Sequence, residues 1–333
     1  MDALYYPRLS LPSPSWTNPN LLFFDRIHVI APSGGHRQLF DRRTRALMDH
    51  DVVRPINPSE FARDDAADEI VLGYLIGRSQ GMRRRAELAR IHFGKIAFSR
   101  LAVELERAGL LRRLLRDQIP RSEADGSWME GPAWVIEYLM SMLATRIATQ
   151  IDDLPLITDE ENARLAVTGV RSVARNNNAR RLKAVTTLLP AGPDISLDDI
   201  LRFREEHPEE LANFRRFVTE LTTRNSADED FEYRLRAAEE VRNRLVARLE
   251  QVHSRLPAAE IVLSASALAA PLVENSYYSA AAAALSLGHL LLRTAEQARQ
   301  NRQVRRAVMQ DKLVFAALAA KRFAPGWGDE VLR

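Results

Sequence analysis

Short apolar runs alternate with helical periodicity over the first 60 residues, which is the pattern of β/α units. Runs of β-favouring residues at Ala3–Tyr6, Ile27–Ile30 and Val52–Arg54 predict three strands. An apolar stripe from His36 to Met48 predicts a helix between the last two of them. This order of elements predicts a small, mainly parallel sheet with helices packed on it.

Three more helices are predicted before residue 190 from apolar positions at helical spacing, namely Ala66–Ile76, Ser99–Gly109 and Ala133–Gln150. Leu154–Thr158 and Leu182–Leu189 are predicted as strands, and Pro155 places the first of these at a sheet edge. The segment Gly126–Pro132 is predicted to be a loop.

Beyond Pro193 the pattern is wholly helical. Pro208 divides one apolar face into two helices, and a heptad-like seam runs from Phe231 to Leu256, interrupted by Arg242. Further helices are predicted at Ala258–Ala270, Val273–Ala295 and Gln303–Lys321. The sequence thus predicts an α/β domain over residues 1–192 and an all-helical domain over residues 193–333.

The amino-acid composition excludes several kinds of functional site. The chain has 333 residues and no cysteine, which excludes disulfides, thiolate metal sites and cysteine nucleophiles. Its net charge is only +3, but basic residues are concentrated between Arg78 and Arg121, whereas the segment from Asp194 to Glu250 is acidic. These two segments would either pair with each other or face different partners.

Two features of the sequence bear on secretion and on membrane insertion. The N-terminus lacks the pattern of a secretory signal, so we expect a cytoplasmic protein. Asn275–Leu292 has no charged residue but is rich in alanine, which favours a buried core helix. Membrane action by the segment from Ala258 to Leu292 is the alternative.

Several short motifs resemble an uncharacterised family of bacterial proteins. They are Ala3-Leu-Tyr-Tyr-Pro7, Leu21-Leu-Phe-Phe-Asp25-Arg-Ile27, Ile30-Ala-Pro32, and similar stretches around Leu154–Asp159 and Ile195–Arg204. The resemblance implies a bacterial cytosolic setting and carries no catalytic residue with it. A role in a multi-protein, defence-like system is a hypothesis.

A glycine-containing loop is the first candidate site. Gly34 and Gly35 lie between a predicted strand and a predicted helix, where backbone N–H groups and a helix N-terminus favour an anion, and Arg37 would close on it. The loop lacks both the GxGxxG pattern and a Walker lysine, so an ordinary turn is the alternative.

Acidic residues around the predicted strand Leu154–Thr158 form the second candidate. Asp153 and Asp159 flank this strand, and Asp25 lies at the start of another. Together they would hold Mg²⁺ for metal-dependent nuclease chemistry, since carboxylates suit a hard cation. Helix capping and solvation of a loop are the simpler interpretation.

The third candidate is a basic surface around Arg83, Arg84 and Arg85 that extends to Lys95. Arginine matches phosphate geometry, and nearby aromatic residues would stack on bases, so nucleic-acid binding is predicted. Pairing of these arginines with nearby glutamates is the alternative.

No catalytic motif is recognisable, and the histidines show no metal-binding spacing. The leading hypothesis is therefore an interaction or assembly protein that binds a protein partner, or itself, through its C-terminal helices. No cofactor is expected, apart from Mg²⁺ under the nuclease alternative.

Overall fold

The computed structural model describes residues 1–32, 37–61, 65–80, 87–96, 100–115, 128–151, 154–159, 173–192, 194–223, 228–254 and 312–324. The predicted fold class is confirmed, because an α/β N-terminal half with a parallel sheet precedes a mostly helical C-terminal half. The chain divides into two compact units. The first unit is Met1–Thr187 with Ala191–Arg204, and the second is Leu188–Pro190 with Glu205–Arg333.

The strands are β1 (Ala3–Tyr5), β2 (Ile27–Ile30), β3 (Val53–Ile56), β4 (Leu88–His92), β5 (Arg112–Arg113), β6 (Trp128–Pro132) and β7 (Leu156–Ile157). The helices are α1 (Pro14–Phe23), α2 (Arg42–Asp49), α3 (Asp65–Gln80), α4 (Leu101–Arg107), α5 (Ala133–Gln150), α6 (Val173–Leu188), α7 (Leu197–Glu206), α8 (Pro208–Thr223), α9 (Asp228–Ser254) and α10 (Val314–Phe323).

The main sheet of the first unit has four parallel strands in the order β3-β2-β1-β7. Tyr5 of β1 lies opposite Val29 on one side and Ile157 on the other. Strand β7 lies at an edge of this sheet, as Pro155 indicates, because proline cannot donate to a second neighbour.

A second sheet, with three antiparallel strands in the order β4-β6-β5, was not predicted. The prediction of a loop up to Pro132 is wrong for Trp128–Pro132, which forms the central strand. Gly131 fits there because its backbone packs against its neighbours: a Cβ at this position would lie 2.4 Å from the carbonyl oxygen of Leu110. The sheet therefore depends on a close contact between segments that are distant in sequence.

Helix α5 has the predicted bounds and forms the centre of the first unit. Its buried residues, such as Leu139 and Leu143, share one apolar core with Leu4 of the sheet and Leu75 of α3. A buried ion pair links α5 to α3, since Arg146 of α5 donates to Oδ1 of Asp68 in α3 at 2.8 Å.

Two local predictions are wrong. Leu182–Leu189, predicted as a strand, lies mostly in helix α6. The predicted helix from His36 begins instead at Arg42, after a single 3₁₀ turn at Arg37–Leu39. In both places a short local pattern was too weak to determine the backbone conformation.

In the second unit, α9 packs against α8 and α10. The described part of the predicted seam is buried, including Phe231, Leu235 and Leu249. Arg242, which interrupts the seam, is buried as well, and its Nη1 donates to the carbonyl oxygen of Leu188 at 3.1 Å. The seam therefore lies inside this unit. The predicted helices over residues 258–295 lie outside the described residues.

Candidate functional site

The carboxyl ends of the four parallel strands meet at one edge of the main sheet. The chain runs outward from β1 to β2 and β3, then returns to place β7 on the other side of β1. In open parallel sheets, ligands bind outside the carboxyl ends of the strands where the order reverses in this way. The ends of β1 and β7 are therefore the place in this unit where the fold favours a ligand.

A phenol and a carboxylate are joined at this edge. Tyr5, the last residue of β1, is fully buried, and its hydroxyl donates to Asp159 Oδ1 at 2.8 Å. The half-buried Asp159 follows β7, and the preceding Thr158 is buried. This hydrogen bond fixes the carboxylate of Asp159 beside the strand ends, because it holds one of the two carboxylate oxygens in place.

An indole lies beside the same phenol. The ring of Trp16, in the first turn of α1, is centred 5.3 Å from the ring of Tyr5. Its Nε1 is shielded from solvent and has no hydrogen-bond partner within the described residues. A buried donor without an acceptor costs free energy, so this atom is a candidate ligand contact.

A lysine is buried at the end of β1. Lys95 is only 3% exposed, and its Nζ donates to the carbonyl oxygen of Pro7 at 3.1 Å. Burial lowers the pKa of Lys95 to about 7, because the charged ammonium is removed from water. An amine that titrates near neutrality can contact an anion, exchange a proton or attack a carbonyl group.

The lysine is held by a tight turn that crosses the strand ends. In this turn, Phe93–Lys95, the N–H of Gly94 donates to His92 Nδ1 at 3.1 Å. A Cβ on Gly94 would lie 2.9 Å from Cβ of Pro32, which follows β2. Glycine thus lets the turn pack on the sheet and carries Lys95 to its carboxyl edge.

The structure separates the acidic residues that the sequence grouped. Asp25 precedes β2 and so lies at the opposite edge of the sheet from Asp159. It pairs with the N-terminal amine and with Arg204, whose Nη2 lies 2.5 Å from Asp25 Oδ1. Asp153 lies outside the described residues. Within the described part of the chain, no group of three or more acidic or histidine side chains is arranged to hold a metal ion.

The predicted anion loop is only partly described. Gly34 and Gly35 lie outside the described residues, whereas Arg37 pairs with Asp49 and does not point to a free helix end. The N-terminus of α2 is occupied by Asp41, which accepts from the N–H of Thr44 at 2.6 Å. This carboxylate takes the place that an anion would occupy at that helix.

The described part of the basic segment is paired with acids and aromatic rings. Arg90 and Arg112 both contact the largely buried Glu130, and Arg113 lies between Glu106 and the ring of Phe93. Pairing of arginines with nearby glutamates, the alternative that the sequence left open, is thus observed for Arg90, Arg112 and Arg113. Arg83, Arg84 and Arg85 lie outside the described residues, so nucleic-acid binding through them stays a prediction.

Sequence reasoning placed Lys95 on a basic surface and gave no role to Tyr5 or Trp16 as site residues. One signal was present, because Lys95 is one of only four lysines and lies between apolar residues of the segment Phe93–Phe98. Its burial beside Pro7 depends on a contact across 88 positions of the chain, which no local pattern contains.

Comparison with known protein families, curated proteins and solved structures finds no match. The resemblance to an uncharacterised bacterial family therefore stays a prediction. Among the helices that the structure describes, none combines the length and the apolar character needed to cross a membrane.

Proposed function

We propose that the first unit binds a small anionic molecule at the carboxyl edge of its parallel sheet. The observation that carries this proposal is the buried ammonium of Lys95, which has one described acceptor, the carbonyl oxygen of Pro7. Burying a cation is costly unless charge or hydrogen bonds compensate it. An anionic group beside Lys95 would supply the missing compensation.

The neighbouring groups support a ligand with both charged and polar parts. Asp159, fixed by Tyr5, is an acceptor for a hydroxyl or amine group, and Trp16 Nε1 is a donor. These groups lie at the end of β1, as does Pro7. A phosphorylated or carboxylated metabolite that also carries hydroxyl groups fits this combination of a cation, an acceptor and a donor.

The proposal is tested by calorimetric titration with inorganic phosphate, a nucleoside triphosphate and citrate as probes. Lys95→Met removes the charge and keeps a side chain of similar length, so it should abolish binding. Lys183→Met, which removes an exposed lysine of α6, should leave binding unchanged. Binding that survives Lys95→Met, or no saturable binding of any probe to the unaltered protein, would contradict the proposal.

We propose assembly with a protein partner through the C-terminal helices as a second function. A groove of about 870 Å³ in the second unit supports it, because its lining includes apolar Phe217, Leu221 and Ala238 together with charged Glu220, Arg234 and Lys312. Protein-binding surfaces combine apolar and charged groups in this way. The groove adjoins the buried seam of α9, since Ala238 belongs to the seam and also lines the groove.

Light scattering on protein purified from expressing cells tests this second function. Phe217→Asp should remove an associated partner, since it replaces an apolar side chain that lines the groove with a charged one. Tyr233→Asp alters an aromatic residue that is 69% exposed elsewhere on α9 and should have no effect. A chain that purifies alone, or a partner that tolerates Phe217→Asp, would contradict it.

A further inference from the structure

Three groups of the proposed anion site are covered by the protein itself. Lys95 is only 3% exposed, Tyr5 is fully buried, and Nε1 of Trp16 is shielded from solvent. A ligand site encloses most of a small molecule's surface, so a molecule reaches these groups only if a neighbouring segment moves aside. The moving segment has to lie at the carboxyl end of β1, where the three groups lie.

The loop that leads from β1 to α1 lies at this place. It follows Tyr6, whose N–H still donates to the carbonyl oxygen of Ile157 in the sheet at 3.3 Å, and it ends at Ser13, directly before α1. In open parallel sheets, ligands bind between such loops where the strand order reverses. Residues 7–13 are named the β1–α1 loop below.

The second half of the β1–α1 loop is fastened to helix α2. Nη1 of Arg43 donates to the carbonyl oxygen of Pro12 at 3.0 Å, and the N–H of Leu11 donates to Oγ1 of Thr44 at 3.1 Å. Leu11 is also buried, so this part of the loop cannot leave α2 without exposing apolar surface to water. Residues 11 and 12 are therefore the fixed end of the loop.

The first half of the loop is held by Lys95. Its Nζ donates to the carbonyl oxygen of Pro7 at 3.1 Å, and the next residue, Arg8, is exposed. Loops that are held by side chains open at a lower free energy than strands inside a sheet. The group that holds Pro7 is thus the same cation to which the proposed anion would bind.

An anion competes with Pro7 for this ammonium. A carbonyl oxygen is a neutral acceptor, whereas a hydrogen bond from an ammonium to a phosphate or carboxylate oxygen is about twice as strong as one between neutral groups. When an anion takes over Nζ of Lys95, the carbonyl oxygen of Pro7 loses this donor and turns to water. Residues 7–9 are then released, while residues 11 and 12 stay on α2.

We propose that residues 7–9 form a lid over the anion site, that Lys95 latches this lid, and that a bound anion opens it by taking Lys95 from Pro7. The proposal rests on the anion binding proposed above and adds how the ligand is admitted. The hinge lies at Ser10, whose Oγ accepts from the N–H of Asp41 at 3.2 Å next to the fixed end.

Nitroxide spin labels test the proposal, because the chain has no cysteine and a single one can be introduced where a label is wanted. Arg8→Cys carries the label on the lid, and Ser13→Cys carries it at an exposed position beyond the fixed end. On saturation with inorganic phosphate, the spectrum of the lid label should narrow as the label gains mobility. The spectrum of the label beyond the fixed end should stay unchanged.

Lys95→Met gives a second readout that needs no anion. Removing the latch should narrow the spectrum of the lid label in the absence of phosphate, and adding phosphate should then change nothing. Lys183→Met, which alters an exposed lysine of α6, should leave both spectra as they were. A lid label that stays immobile in the Lys95→Met variant overturns the proposal.

Calorimetry on the same samples separates a failed lid from a failed anion site. Phosphate binding that depends on Lys95 but leaves the lid label unchanged keeps the anion site and overturns the lid. Absence of phosphate binding contradicts the anion site, and with it the opening of the lid by an anion, whatever the Lys95→Met spectrum shows.

Discussion

The hydroxyl of Tyr5 donates to Asp159 Oδ1 at 2.8 Å, joining the carboxyl ends of two neighbouring strands whose residues are 154 positions apart in the chain. Tyr5 is fully buried, so its hydroxyl has no access to bulk water to replace this bond. The pair therefore both stabilises the sheet and fixes a carboxylate at the proposed ligand site.

Tyr5→Phe should lower the free energy of unfolding by about 1.5–3 kcal/mol, as expected for a lost hydrogen bond to a charged group. The ring stays in place beside Trp16, so packing is kept. Urea denaturation measures the change, and Tyr233→Phe at an exposed position is the control. Equal stability of Tyr5→Phe and the unaltered chain would show that the bond contributes nothing.

Lys95→Met should stabilise the protein, and this gain should depend on pH. The pKa of Lys95 is about 7 in the folded chain, below that of a free lysine, so the folded state binds fewer protons than the unfolded state above pH 7. The free energy of unfolding of the unaltered chain therefore rises with pH in that range. The advantage of Lys95→Met, on the order of a few kcal/mol, should be greatest at or below neutral pH and decline towards about pH 10.

Urea denaturation at several pH values measures this difference. Lys183→Met serves as the control, since this lysine is exposed. A constant difference between Lys95→Met and the unaltered chain across the range would mean that the lysine is not buried as the structure shows.

Anion binding should weaken as pH rises above neutrality. The anion favours the charged form of Lys95, whose pKa in the free protein is about 7. The dissociation constant should then increase about tenfold for each pH unit above that value. Titration calorimetry in buffers of different ionisation enthalpy should show proton uptake on binding. Affinity that does not change between neutral and alkaline pH would place the anion away from Lys95.

Arg242→Met should destabilise the second unit by about 1–3 kcal/mol, since it leaves the buried carbonyl oxygen of Leu188 without this donor. Methionine retains most of the aliphatic packing. Arg236→Met, at an exposed position of the same helix, should change stability little. The two variants are compared by denaturation monitored through helix content, and an equal effect of both would contradict the assigned role of Arg242.

Gly131→Ala should destabilise the first unit by about 1–3 kcal/mol, because the added methyl group would lie 2.4 Å from the carbonyl oxygen of Leu110. Gly73→Ala, at an exposed helical position where no atom lies within 4 Å of the added methyl group, is the control and should not destabilise the fold. Urea denaturation of both variants measures the difference. A stabilising Gly131→Ala would contradict the close packing of β6 on the segment before β5.

The local sequence pattern was sufficient to predict those helices and strands whose own residues carry a clear helical or β signal. Helix α5 has the predicted bounds because a long apolar stripe follows Pro132, and β1 and β2 are close to their predictions because each is a compact run of β-favouring residues. The antiparallel sheet was missed because β4 and β6 pair across some 40 intervening positions, and neither strand alternates clearly between apolar and polar residues.

The candidate site likewise divides into residues that local pattern identified and residues that only long-range contacts bring together. Asp159 was identified from its place after an apolar run, but its partner Tyr5 was considered only as part of a strand and of a short family motif, never as a site residue. Asp25 was grouped with Asp159 because both adjoin strands, whereas parallel pairing places the start of one strand and the end of another at opposite edges. Whether two such residues meet depends on strand direction and order, which the sequence does not state.

The sequence by itself determined the fold class and the excess of arginine over lysine, because both follow from periodicity and composition. The tertiary structure alone decided which charged side chains pair with an opposite charge and which are buried. It pairs Arg90 and Arg112 with Glu130, and it places Lys95 in the interior at the end of β1. The physical reason is that the cost of a charge depends on its distance from water and from opposite charges, and these distances are set by contacts between segments far apart in the chain.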